Sequence, residues 1–415
     1  MKLTEKLQQI PLVVRKGVAI VVLAFVAGLL YPAMKEWFNP TIAPSTPPRV
    51  TLPAAGEAVH THAFSVELWQ QLLRQVPEGN VVLTPNMLNQ CLVQLQDLAA
   101  EEHAESFTRL QLTRPKTEST TAVHEGAFFF ANEKDVLTNS PELQESIVYG
   151  ADFVGDLAMA HKLLNTAVKN ATDGLVPLMF NSTSAPRGTR LLGCAVAGYT
   201  ADWYYPIYAH RTEKATFRNA DATQSKVEIM RAEGRFRMVQ STAGNWKAVA
   251  IPMRNNPAYD DGKRDSCALI LIQPIEELPL SAHPLAEQLT QADFDAIRSA
   301  LATAPEQDAT IKLPRFAYNN SRLDVFPLLH AMGLGAITKR DGSPFPKISA
   351  TQPFPLDGLY QQCTLVFKES PENATAPAPV GGSSNTLEFN RPFLWLLVPL
   401  TTANPPYAMG LVEYL

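Results

Sequence analysis

The sequence predicts an α+β fold built around one large core. Short apolar runs typical of strands occur in groups, and the helical patterns between them do not alternate with single strands as a βαβ fold requires. Hydrophobic residues make up 46% of the 415 residues, enough for a large core, and charged residues make up only 18%, below the ~25% of an average domain. This composition excludes a disordered protein driven by charge.

Net charge and motif content exclude several functional classes. The chain has 35 Lys and Arg against 40 Asp and Glu, so no basic field favours nucleic acid. Motifs of nucleotide binding, serine hydrolysis and zinc proteolysis are missing from the sequence. His60 and His62 lie at a predicted domain junction, and Asp260 and Asp261 lie between a proline and a glycine, as in a solvated turn. We therefore expect no enzyme, no cofactor and no metal site.

The four cysteines are widely separated, and each lies in an apolar or mixed run. Such spacing matches neither a disulfide framework nor a zinc site. We expect four buried thiols that pack as small hydrophobic groups. A single disulfide remains an alternative if the domain is exported.

The N-terminal part predicts membrane attachment. Residues 17–34 are an uncharged apolar run that would reach ~27 Å as a helix, close to the ~30 Å of a bilayer core. Four basic residues lie in 1–16, which predicts a cytoplasmic N-terminus. We expect an uncleaved signal anchor and an extracytoplasmic domain, periplasmic or extracellular; a cleaved signal, giving a secreted protein, is the alternative. Residues 35–56 are proline-rich, which predicts an extended stalk. We expect residues 57–415 to form one domain and the protein to be a monomer.

The first half of the domain predicts both helices and strands. Residues 63–76 place Phe64, Leu68 and Leu72 on one helix face. Residues 80–85 predict a buried strand, and Thr84 followed by proline is typical of the start of the next helix. Residues 101–122 are polar and predict a loop or weak helix, and 126–132 predict a buried strand.

The second half predicts a helix over 163–180, with Gly174 as a left-handed cap. Two further helices are predicted at 285–303 and 322–333. The remaining runs predict strands: 190–199, 226–230, 234–239, 247–252, 267–273, 362–369, 392–400 and 407–415.

In this order the segments resemble the serpin family. LNTAVKNATDGLVPLMF (164–180) is similar to the family's helix ending in Thr-x-Gly-x-(Ile/Val), and VEIMRAEGRFRMV (227–239) is similar to a family hairpin. LPRFAYNNSRLDVFPLLHAMGLGAITKRDG (313–342), FNRPFLWLL (389–397) and AMGLVEYL (408–415) resemble later family blocks. The similar blocks run in family order over about 60–415.

The chain also departs from the family pattern. Ala195 stands where the family usually has asparagine, Met87 replaces a common serine, and the final proline is missing. Residues 101–122 are short and not basic, so the resemblance gives no support for activation by glycosaminoglycans.

The resemblance implies a central mixed sheet, two further sheets, about eight or nine surrounding helices and an exposed reactive-centre loop. It also implies inhibition of serine, sometimes cysteine, proteases: the loop is cleaved and then inserts into the central sheet as a new strand. Thr84 and Trp203 fall in the region where the family's sheet opens.

The segment that would insert first has an unusual sequence. Pro371 stands in place of the family's glycine, and Glu372 replaces the first inward-facing small residue. A buried, unpaired carboxylate costs several kcal/mol or must take up a proton. Pro371, Pro377 and Pro379 each lack the N–H that a central strand needs, so we expect impaired insertion. Alignment on QCTLVFKE gives these hinge residues: Glu369, Ser370, Pro371, Glu372, Asn373, Ala374, Thr375 and Ala376.

The rest of the predicted loop, about 370–388, leaves the scissile bond open. Counting from Glu369 gives Asn385, and counting back from Phe389 gives Gly381. Without Lys or Arg in this stretch, a target protease would be elastase-like or a cysteine protease rather than trypsin-like. A plain surface loop, an unconventional inhibitor and a binding or scaffold protein all remain open. The candidate scissile region is Val380, Gly381, Gly382, Ser383, Ser384, Asn385 and Thr386.

Overall fold

The computed structural model describes most of the predicted domain. The described residues are 63–112, 123–136, 148–200, 202–254, 264–342, 344–350, 353–372, 374, 385–399 and 405–415. Within them the chain forms seven α-helices and fourteen strands. The strands form two sheets with helices packed on them, which confirms the α+β class.

The helices carry the apolar faces that the sequence predicts. Phe64, Leu68 and Leu72 are buried on one side of the first helix, and Pro85 begins the second without an orphaned N–H. The helices are α1 (Ala63–Gln75), α2 (Pro85–Leu98), α3 (Ala104–Thr108), α4 (Leu157–Ala171), α5 (His283–Gln288), α6 (Gln291–Thr303) and α7 (Phe326–Ala331).

Five strands form the central sheet, in the order β10-β11-β4-β2-β3. The pairs β11–β4 and β2–β3 are parallel and the other two are antiparallel, so the sheet is mixed, as expected. These strands are β2 (Val123–Asn132), β3 (Val148–Ala151), β4 (Leu191–Thr200), β10 (Phe316–Asp324) and β11 (Leu356–Phe367).

The other strands form one nine-stranded sheet rather than the two separate sheets expected. Its order is β1-β14-β13-β8-β7-β6-β9-β12, with β5 also on β6. The long strand β6 joins the two halves because it pairs with β5, β7 and β9 along its length. These strands are β1 (Val81–Leu83), β5 (Glu213–Arg218), β6 (Gln224–Ser241), β7 (Trp246–Arg254), β8 (Arg264–Pro274), β9 (Glu306–Pro314), β12 (Thr386–Glu388), β13 (Phe393–Pro399) and β14 (Ala408–Val412).

The hairpin predicted over 227–239 is wrong, since β6 runs through it without a turn. Gly234 lies inside this strand, where a Cβ atom would clash with the ring of Tyr205. The glycine therefore allows close packing and does not make a turn.

Several predicted helix bounds also change. Helix α4 begins six residues before the predicted 163 and ends at Ala171, followed by Gly174 at φ +80°. The helix predicted over 285–303 is two helices, because Thr290 caps α6 with its side chain. The helix predicted from 322 begins at Phe326, since β10 continues to Asp324.

The core lies on both faces of the central sheet. Helix α4 covers the outer face with Ala160, Leu164 and Val168, which are buried in one cluster with Phe128 and Phe130 of β2. The inner face packs against α1, α2 and the nine-stranded sheet. All four cysteines are buried with free thiols, as predicted, and the alternative of a disulfide is wrong.

No described helix is long and apolar enough to cross a membrane. The predicted anchor (17–34) and stalk (35–56) lie outside the described residues and stay predictions. The same is true of the residues His60, His62, Asp260 and Asp261.

Candidate functional site

The site lies where the central sheet meets the predicted hinge. Strands β4 and β11 pair directly with each other, in parallel, from Leu191↔Leu356 to Thr200↔Val366. The central sheet is thus closed at this seam, with no strand between the two. A loop that inserted here would have to break this pairing before forming its own.

Trp203, which follows β4, holds the end of β11. Its side chain is only 1% exposed and packs on Phe367, with ring centroids 5.6 Å apart. The indole Nε1 donates a hydrogen bond of 2.8 Å to the carbonyl of Lys368. The tryptophan therefore fixes the backbone directly before the predicted hinge.

Glu369 forms an ion pair with Arg315, which also binds Glu228. The side chain of Glu369 is 9% exposed, whereas that of Arg315 is 40% exposed. Burial is the largest single influence and disfavours the charged carboxylate, but the hydrogen bonds that the carboxylate accepts and the positive charge of Arg315 together hold the pKa of Glu369 below its ordinary value. The carboxylate of Glu369, the first hinge residue, is therefore charged and paired with Arg315.

Ser370 and Ile207 bind each other through two hydrogen bonds. The amide of Ser370 donates to the carbonyl of Ile207 at 2.8 Å, and the amide of Ile207 donates to Ser370 Oγ at 3.0 Å. Tyr208 donates its hydroxyl to the carbonyl of Ala374 at 3.4 Å. We call Trp203, Ile207, Tyr208 and Arg315 the hinge clamp, because these four residues hold 368–370 and 374 outside the central sheet.

Within the hinge itself, Pro371 and Glu372 are exposed. The amide of Ala374 donates to the carbonyl of Pro371 at 2.9 Å, so the chain turns at this point instead of extending. Of the described hinge residues, Glu369, Ser370 and Ala374 bind the clamp, and Pro371 and Glu372 are exposed between these contacts. Asn373, Thr375, Ala376 and residues 380–384 lie outside the described residues, and their predicted roles stay predictions.

The far end of the predicted scissile region returns to the nine-stranded sheet. Asn385 accepts a hydrogen bond of 2.9 Å from the amide of Thr310. Thr386 begins β12 and pairs in parallel with Thr310 of β9. The loop is therefore anchored at both ends, at Ala374 and at Asn385.

Thr84 contacts the seam at a different height from Trp203. Its amide donates to Gln361 Oε1 at 2.8 Å, and Gln361 Nε2 donates to the carbonyl of Val82 at 3.2 Å. Gln361 precedes Phe367 by six residues on β11, which corresponds to ~20 Å along the strand. The two predicted sheet-opening residues thus both hold β11, but at separate points.

Sequence reasoning missed Gln361 and most of the clamp. Ile207 lies 163 positions before Ser370, and no motif relates the two. Arg315 lies inside a block that resembles the family, but only the fold places it 54 positions from its partner Glu369. Their roles depend on contacts between distant segments, which local periodicity does not encode.

Glu125 of β2 lies opposite Ala197 of β4, which pairs with Cys363 of β11, between Gln361 and Phe367. Its Oε1 lies 2.8 Å from the hydroxyl of Tyr199, and its Oε2 accepts a hydrogen bond of 2.9 Å from Asn86. The Tyr199 hydroxyl also donates to the carbonyl of Tyr407 at 2.7 Å. A hydroxyl has one proton, so a protonated Glu125 would satisfy every partner. Burial raises the pKa of Glu125 to about 7, although the bonds from Tyr199 and Asn86 lower it.

We expect Glu125→Gln to change how stability depends on pH. The pKa of Glu125 rises from 4.5 to about 7 on folding, so its stabilising contribution is complete below pH 4.5 and is lost as pH rises to about 7. Between pH 5 and pH 8 the free energy of unfolding of the wild type should fall relative to the variant by about 1–3 kcal/mol. Denaturant unfolding at both pH values measures this. Glu67→Gln, at an exposed helix position, is the control; equal pH dependence in all three proteins would contradict the prediction.

The central sheet is thus closed, and the chain leaves it after β11 and returns as β12 at the edge of the nine-stranded sheet. The family model "Serpin (serine protease inhibitor)" matches residues 130–413, more than half of the chain. The chain belongs to the serpin family. Serpins are protease inhibitors rather than enzymes as a class.

Known relatives are distant but extend over most of the domain. Human Serpin B5 is 21% identical over 367 residues, covering 82% of this chain and 95% of the relative. Sheep antithrombin-III is 26% identical over 265 residues, covering 60% of this chain and 54% of the relative.

Solved structures show the same fold. Maspin superimposes with a TM-score of 0.73 at 18% identity, covering 85% of this chain and 97% of maspin. Uncleaved ovalbumin superimposes with a TM-score of 0.72 at 15% identity, covering 86% of this chain and 99% of ovalbumin.

Proposed function

We propose that this protein is a serpin that displays its loop without inserting it, and that it acts by binding a partner rather than by trapping a protease. The observation that carries this proposal is the hinge: Pro371 and Glu372 occupy the first part of the segment that would have to become a central strand. The hinge clamp supports it, because insertion would also have to break the contacts of Trp203, Ser370 and Ala374.

Inserting Pro371 and Glu372 into the central sheet would cost free energy. A central strand donates and accepts hydrogen bonds on both edges, and proline cannot donate. Glu372 would move from an exposed position to the inside of the sheet. Its carboxylate would have to be paired there or take up a proton, and either would offset much of what the new strand contributes.

In this proposal the partner binds the loop between Ala374 and Asn385. Binding takes place outside the cytoplasm, where the predicted anchor at 17–34 holds the domain. The partner is a protease that does not require Lys or Arg, elastase-like or of the cysteine class, or a protein that binds without cleavage. Trapping by loop insertion is the alternative that the experiment separates from binding.

Nicking the loop should leave thermal stability unchanged. After limited cleavage of the full-length protein within 375–384 by an elastase-like protease, we expect the unfolding midpoint to stay within ~2 °C of the intact protein, since no strand is added to the sheet. We also expect no SDS-stable adduct with the protease. A large rise in midpoint together with such an adduct would show that the loop inserts and that the protein is a working trap.

A further inference from the structure

Helix α4 has a second apolar face that the central sheet does not cover. Its first face, with Ala160, Leu164 and Val168, is buried against β2 and β4. The neighbouring face carries Met159 and Leu163, which are 56% and 39% exposed. Large apolar side chains on two adjacent faces of one helix are typical of a helix with a second contact to make.

This second face forms one wall of a cavity of ≈ 660 Å³. Strand β2 also lines the cavity, with Phe128 among its side chains, and so does Tyr149 of β3. Tyr149 is 43% exposed and stacks on Phe130 with ring centroids 5.6 Å apart. The volume lies within the ~300–1,000 Å³ of small-molecule sites, and such sites have mainly apolar walls with a few polar groups.

The polar groups of the cavity lie at defined places. Lys162 belongs to the same helix face as Met159 and Leu163, at the exposed rim. Among the described residues no carboxylate forms an ion pair with its ammonium group. Glu125 also lines the cavity, and Tyr199 and Asn86 already bind both of its oxygens. The other polar lining residues, Gln90, Thr166 and Asn170, are uncharged, so the cavity offers a mainly apolar lining and one cation, Lys162.

We infer that this cavity binds a long-chain fatty acid, with the alkyl chain along Phe128, Tyr149 and Leu163 and the carboxylate on Lys162. An apolar chain would cover the exposed side chains of α4, and a single negative charge matches the single cation at the rim. A cationic amphiphile fits less well, because the one carboxylate of the cavity is already hydrogen-bonded. The inference does not depend on whether the loop inserts.

The test uses purified full-length protein and palmitate carrying a photoreactive diazirine in its chain. We expect saturable labelling that unlabelled palmitate displaces, located by mass spectrometry in α4 and in residues 123–128. Lys162→Glu should weaken binding about tenfold, because attraction becomes repulsion, whereas Lys162→Arg should retain it. Thr166→Trp, which adds a large ring on the cavity wall at an exposed position, should abolish labelling without lowering the unfolding midpoint.

Two further measurements separate a site from general adsorption. Palmitate should raise the unfolding midpoint of the wild type but not that of Thr166→Trp, because a ligand that binds only the folded state stabilises it. Hexadecanol, which lacks the carboxylate, should compete about two- to fivefold more weakly. Labelling that is not saturable, or that Lys162→Glu and Thr166→Trp leave unchanged, would overturn the inference.

Discussion

Repairing the hinge is expected to make the nicked protein far more stable. In the variant Pro371→Gly, Glu372→Thr, Pro377→Ala and Pro379→Ala, the segment after Glu369 regains its N–H donors and loses its inward carboxylate. A strand of about ten residues between β4 and β11 would add hydrogen bonds on both edges, each worth ~1 kcal/mol before the entropy of ordering. We expect the unfolding midpoint to rise by about 10 °C or more after nicking.

The measurement is calorimetric unfolding of the intact and nicked forms of wild type and variant. A matched control adds Ala374→Glu to the repaired chain. Because side chains alternate along a strand, residue 374 shares its inward face with residue 372, so this one charge should cancel the gain. The repaired variant should also form SDS-stable adducts with an elastase-like protease, which the control should not.

If the wild type already gains stability on nicking, the hinge residues are no barrier and the proposed function is wrong. If the repaired variant gains nothing, the four residues are not the cause, and the barrier lies in the hinge clamp or the length of the loop. The two outcomes are distinct because they concern different proteins.

The second large effect is expected for Trp203→Ala. The ring is almost fully buried against Phe367, and truncation of a buried aromatic residue costs ~3–5 kcal/mol. The unfolding midpoint should fall by about 4–7 °C. Because the indole also binds the carbonyl of Lys368, hydrogen exchange of the amides at 368–370 should become faster than in the wild type.

Trp203→Phe is the matched control, since it keeps most of the ring packing and loses the indole donor. We expect this variant to lose only ~1–2 kcal/mol, with faster exchange confined to the hinge. Unchanged hinge exchange in both variants would contradict the role of Trp203 in the clamp and leave it as a core residue only.

The fold was predictable because its signals are local or ordered along the chain. The helix face of Phe64, Leu68 and Leu72 and the apolar strands of the central sheet follow from periodicity alone. The order of blocks that resembles the family was sufficient to expect a mixed sheet with a displayed loop. The predicted ends of elements were wrong where tertiary packing overrides local propensity. Gly234 is an example, because it allows the ring of Tyr205 to pack closely on the strand and does not make a turn.

The sequence alone determined the class of fold, the family resemblance and the obstacles at Pro371 and Glu372, because proline chemistry and a carboxylate charge are properties of the residues themselves. Only the tertiary structure decided that Trp203, Ile207, Tyr208 and Arg315 meet at the hinge. It also decided that Glu125 is buried and hydrogen-bonded to Tyr199 and Asn86. These contacts join segments that are tens to hundreds of positions apart. Their energies come from burial and hydrogen-bond geometry, which exist only once the chain has folded.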